Sequence, residues 1–155
     1  HDYIGEQDFD KGLENFKARH ATLAESEAFT NPNATAKTDP GTAQWSVPYR
    51  GQPYFVSEFG GFKWIPPTEG DLADDSKAWG YGSAAASIED FYRRFGAVCD
   101  VLLDNPSMFG YCYTQLTDIY PEENGIYTFD RAPKFDGARL RQIQQRPAAI
   151  EEAAK

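Results

Sequence analysis

One long amphipathic pattern set between two short apolar runs most constrains how this chain can fold. The stretch "SIEDFYRRFGAVCDVLLDNP", residues 87 to 106, spaces Ile88, Phe91, Phe95, Val98 and Leu102 three or four residues apart. It opens on the capping pair Ser87 and Asp90 and stops at Asn105-Pro106, so it reads as a helix. Before it, residues 53 to 58 ("PYFVSE"), and after it, residues 108 to 118 ("MFGYCYTQLTD"), read as strands. Two strands joined through a helix run parallel, with a right-handed crossover. Residues 9 to 20 add a helix with Phe9, Leu13, Phe16 and His20 on one face, and "FDGARLRQIQQR" adds another after the second strand. The recurring order of strand and helix places the chain in the α/β class.

At 155 residues the chain buries one core and forms one domain, residues 1–155. Its 24 acidic against 15 basic residues give a net charge of −9, which argues against nucleic acid or an anionic membrane as partner. No apolar run is long enough to span a membrane and no signal peptide opens the sequence, so a soluble protein is expected. With no starting Met the compartment stays open, the cytoplasm being favoured. Cys99 and Cys112 lie inside a helix and a strand pattern without metal or disulfide spacing, and read as buried thiols. His1, Asp2 and His20 form no ligand pattern, so neither a protein-held metal nor a cofactor is expected.

Two connections, residues 21 to 50 and 59 to 86, are long and aperiodic, and loops of that length in a compact domain tend to carry function. Aromatics fall in the loops too (Trp45, Trp64, Trp79, Tyr81, Tyr120), which suits a ligand with flat apolar faces, although buried loop anchors are commoner. The second long loop follows directly on Glu58. In barrels of alternating strands and helices, catalytic groups sit at the C-terminal ends of the strands. Glu58 stands at such a place, the plainer alternative being an ordinary strand-end charge.

Three separated motifs, "PYFVSEFGGFKW", "DNPSMFGYCYTQLTD" and "NGIYTFDRAPKFD", together resemble the C-terminal part of the catalytic barrel of glycoside hydrolase family 2, the β-galactosidase and β-glucuronidase family. The resemblance runs in order over nearly the whole chain. It implies a partial (β/α)8 barrel comprising strands six to eight with their helices, from a retaining exo-β-glycosidase. By the same resemblance Glu58 is the nucleophile and Tyr3 the strand-six tyrosine that hydrogen-bonds it. Such enzymes attack the anomeric carbon with one carboxylate while a second, about 5 to 5.5 Å away, protonates the leaving oxygen and later activates water.

That second carboxylate belongs to an Asn-Glu pair at the end of strand four in the family, and this sequence has no Asn-Glu dipeptide. Glu69, Asp71, Asp74 and Asp75 read as a solvated loop cluster, and Asp118 as a loop cap. A full barrel takes about 250 residues. The chain is therefore expected to be a fragment, inactive alone, whose partners are a carbohydrate substrate and either the N-terminal part of the barrel or a second copy. Its inward face is expected to carry Tyr54, Val56, Gly110 and Cys112, with Phe109, Tyr111 and Tyr113 packed on the helices. Ser57 is expected to point away from Glu58.

Asn124 is followed by Gly125-Ile126, so the Asn-x-Lys clamp by which β-glucuronidases hold a sugar carboxylate is absent. A neutral sugar follows, galactose ahead of mannose. Where many members carry Trp-Asn in the barrel mouth this chain has Thr114-Gln115, leaving Gln115 as a candidate hydroxyl contact and Trp64 as a substitute stacking platform. The competing reading is a non-catalytic remnant that binds sugar or serves as a scaffold.

Overall fold

The computed structural model describes residues 2–21, 53–65 and 77–153. Trp45, Glu69, Asp71, Asp74, Asp75 and His1 lie outside the described residues. Among those described, the elements run α1 (Phe9–Ala21), β1 (Tyr54–Gly60), α2 (Ile88–Leu103), β2 (Met108–Thr114), α3 (Gly137–Gln144) and α4 (Ala149–Ala153). The fold is mixed α/β. β1 and β2 pair in parallel as a two-stranded sheet, joined through α2 as the pattern requires, and the sheet does not close into a barrel. A third parallel contact lies on the far side of β1, where Asp2 bridges to Phe59 and its N–H donates to the Glu58 carbonyl at 2.8 Å.

α2 forms where its cap and spacing place it. Ser87 Oγ accepts from the Asp90 N–H at 3.0 Å, while Asp90 Oδ2 accepts from the Ala86 N–H, so two backbone donors at the helix entrance are satisfied. Phe91, Phe95, Val98, Cys99 and Leu102 are buried against the sheet and α1, but Ile88, at the helix mouth, is 38% exposed. Phe91 stacks on Phe135 at 3.8 Å between centroids, which brings the approach to α3 onto α2. Full burial of each such side chain contributes about 1.5 to 3 kcal/mol. No helix among the described residues is long and apolar enough to cross a membrane.

The strand faces differ from simple alternation, and two register shifts explain it. Tyr54 pairs with Met108 but Phe55 with Gly110, so Phe109 is an extra residue in β2. Met108 before it and Tyr111 and Tyr113 after it all face the helices, while Phe109, expected in the core, is 67% exposed. In β1, Val56 pairs with Tyr111 and Phe59 with Tyr113, three residues against two. Val56 and Phe59 are both buried in the core, with Ser57 exposed and Glu58 half-buried between them.

Tyr54 and Val56 likewise pack on the core rather than lining the open face, which instead presents Phe55 (51% exposed) and Phe109. Cys112 lies exposed on that face and is not a buried thiol. Cys99 is buried, and that burial pushes its thiol up to about 12. β2 ends at Thr114, four residues short of the expected limit, because residues 115 to 134 fold into a bridged loop of their own.

Candidate functional site around Glu58

Glu58 lies half-buried on β1, two residues before the strand ends at Gly60. The Tyr3 hydroxyl donates to Glu58 Oε2 at 2.6 Å, a charge-assisted bond between elements 55 positions apart in sequence. Burial, and then the bond to the carboxylate, push the Tyr3 phenol far above its ordinary range, so it remains a donor. Thr114, at the end of β2, and Tyr81 lie beside Tyr3 and bear on its pKa, Thr114 lowering it and Tyr81 raising it. Three parallel segments therefore meet here: the Asp2 segment supplies Tyr3, β1 supplies Glu58, and β2 ends at Thr114 beside Tyr3.

The two glycines after Glu58 have a local cause. Gly60 and Gly61 take φ of +84° and +64°, the left-handed region that disfavours side chains. A Cβ on Gly60 would meet the Tyr113 ring at 2.5 Å, and one on Gly61 would fall onto the Tyr81 ring. Past them the chain zips to the segment at 77–86: the Tyr81 N–H donates to the Gly61 carbonyl at 2.9 Å, the Ala85 N–H to the Lys63 carbonyl, and Lys63 Nζ to the Ala78 carbonyl. Arg94, buried on α2 and paired with Asp90, donates to the Ser83 carbonyl at 2.8 Å and fixes that segment from the other side.

Aromatic rings surround Tyr3. Its ring lies on Tyr81 at 3.5 Å between centroids and 2° between planes, and Trp79 meets Tyr81 edge-on at 5.6 Å. Trp79 is 42% exposed, with its backbone bonded on both sides to the loop, N–H to the Pro121 carbonyl and carbonyl from the Glu123 N–H. Tyr81 and Trp79 are recognisable in sequence only as loop aromatics. Nothing local signals their approach to Tyr3, because that contact spans 78 positions.

The remaining predicted residues divide. Gln115 donates from Nε2 to Asn124 Oδ1 at 3.0 Å, and Asn124, fully buried, donates to Glu122 and accepts from the Tyr113 hydroxyl on its carbonyl. Gln115 is thus joined to a network that shapes the loop. Trp64 packs against the core with its Nε1 buried and without a hydrogen-bond partner. Asp118 does the work of a loop cap: Oδ1 accepts from the Gly125 N–H at 2.7 Å, and both oxygens accept from Lys134 Nζ at 2.9 and 3.0 Å. Among the described residues no three His, Cys, Asp or Glu side chains gather as a metal site requires.

Gly61→Ala is expected to lose about 2 to 4 kcal/mol, combining left-handed strain with overpacking against Tyr81. Urea unfolding checks this against Gly137→Ala, where a Cβ meets nothing within 4 Å and the change should stay within about 0.5 kcal/mol. No protein-family model and no curated protein matches the chain.

Proposed function

We propose that this chain is the strand-six-to-eight portion of a (β/α)8 barrel from a retaining exo-β-glycosidase of the glycoside hydrolase family 2 type, with Glu58 as nucleophile. One observation carries the reading: the Tyr3 hydroxyl sits 2.6 Å from Glu58 Oε2 near the C-terminal end of a parallel strand. A nucleophilic carboxylate must be ionised and aimed. A phenol that stays protonated donates to the carboxylate and fixes its orientation. The parallel order of the Asp2 segment, β1 and β2 agrees with three consecutive barrel strands. Thr114 and the half-exposed Trp79 suit contact with a neutral sugar at this mouth, galactose ahead of mannose.

The acid/base partner belongs to the rest of the barrel. Asp118 is committed to Lys134 and Gly125, and Glu122 to Asn124, so these two carboxylates serve the loop. The same facts favour, as a second reading for the chain alone, a folded piece without turnover. In the proposed parent, the upstream strands or a second copy of this chain would cover Phe55, Phe109 and the free edge of β2.

The 155-residue chain by itself is expected to leave lactose and other natural disaccharides untouched. Adding the upstream barrel half is expected to give turnover, followed by release of the free sugar. Aryl glycosides with good leaving groups offer the more sensitive assay, since they need less help from an acid. Sustained lactose hydrolysis by the chain alone would contradict the proposal.

A further inference from the structure

Tyr3 reaches Glu58 from a segment whose backbone is fixed on both sides, Asp2 pairing with Arg19 and His20 of α1 and Ile4 lying buried in the core. Its neighbour Asp2 makes a single parallel bridge to β1, and beyond Ile4 the chain turns into α1. These contacts hold the backbone, while the aim of the hydroxyl, 2.6 Å from Glu58 Oε2, depends also on what packs against the ring. The Tyr81 ring covers one face of Tyr3 at 3.5 Å and nearly parallel. Tyr81 is in turn fixed by the strand that carries Glu58, since its N–H donates to the Gly61 carbonyl and its ring fills the space a Cβ on Gly61 would take. The next residue, Gly82, has φ of +66° and lies so close to the Ile4 carbonyl that a Cβ there would stand 2.5 Å from it. Tyr81-Gly82 therefore docks along Tyr3-Ile4, ring on ring and backbone on backbone, and Trp79 closes the far edge of Tyr81.

The contacts form a closed circuit: Glu58 to Gly61 along the chain, Gly61 to Tyr81 by a backbone bond and ring contact, Tyr81 to Tyr3 by the stack, and Tyr3 back to Glu58. We propose that Tyr81 is a positioning residue, whose ring sets the Tyr3 hydroxyl on Oε2 and so orients the Glu58 carboxylate toward the reacting carbon. The last clause rests on the nucleophile reading of Glu58. The positioning itself does not. The alternative is a stack that only fills space, in which case Tyr3 would keep its bond without Tyr81.

Proton NMR of the 155-residue chain separates these, because a phenol proton donated to a carboxylate resonates far downfield and exchanges slowly. The Tyr3 hydroxyl resonance, assigned by its loss in Tyr3→Phe, is expected in the unmodified chain and in Tyr81→Phe, which keeps the ring. It is expected to vanish in Tyr81→Leu. Should Tyr81→Leu not unfold cooperatively in urea, Tyr81→His, whose smaller ring cannot cover Tyr3, takes its place with the same expectation. In the completed barrel Tyr81→Leu is expected to lower kcat about 10- to 100-fold with KM changed less than about threefold, as misplacement of a reacting group does. A resonance absent from the unmodified chain, or one that survives in the Leu and His variants, would overturn the positioning role. Loss of the resonance with no catalysis in any completed barrel would keep the positioning and remove the nucleophile reading.

Discussion

Lys134→Met is expected to cost the fold about 3 to 5 kcal/mol, the usual consequence of leaving one half of a buried ion pair behind. Lys134 Nζ sits between both oxygens of Asp118, and its side chain is fully buried. Removing it strands a carboxylate whose one other donor among the described residues is the Gly125 N–H at 2.7 Å. Total stabilities of small domains are about 5 to 15 kcal/mol, so the loss takes a large share. The double variant Lys134→Met with Asp118→Leu is expected to recover most of it, because the stranded charge goes too, although the Gly125 donor stays unmet. Urea midpoints of the three chains check this. A single variant within about 1 kcal/mol of the unmodified chain would show that water reaches the pair.

Glu58→Gln has the largest expected effect on activity, on the order of 10⁴-fold or more in kcat once the barrel is complete. The amide keeps the size and can still accept from the Tyr3 hydroxyl, so the local fold and sugar binding should change little. It cannot form the glycosyl ester, because an amide oxygen is a poor nucleophile at the anomeric carbon. Steady-state rates and an equilibrium binding measurement with a product sugar test the two halves of this expectation. Equal loss of binding and of rate would point to a structural role for the charge.

Helix α2 is legible because its signals are local: apolar residues on one face, the Ser87 cap, and Asn105-Pro106 past the end. Parallel pairing follows from the helix between the strands. The strand faces are not legible, because they depend on register. One extra residue at Phe109 reverses the side on which Phe109 falls, another between Val56 and Phe59 brings Phe59 back to the core side, and alternation carries no mark of either. Cys112 is exposed because the strand places it on the open side, a matter of what lies opposite rather than of the residue itself. At the site, Glu58 and Tyr3 are found through resemblance of motifs. Tyr81 is not, since its importance comes from a ring that lies across the chain on Tyr3. The ion pair of Asp118 with Lys134 has the same character: Asp118 reads as a loop cap from its place, but the lysine 16 positions on is reached only once residues 115 to 134 have folded back.

The identity of the nucleophile is the central claim, and trapping it is the most direct measurement. A 2-deoxy-2-fluoro-β-galactosyl fluoride reacts with a retaining enzyme to leave a slowly hydrolysed ester on the attacking carboxylate. Incubated with the barrel completed by its upstream half, digested and mapped by mass spectrometry, the label is expected on the peptide containing "PYFVSEFGGF" and, within it, on Glu58. The Glu58→Gln chain, treated alike, is expected to carry none. Label on Asp118 or Glu69, or equal labelling of the Gln variant, would contradict the assignment.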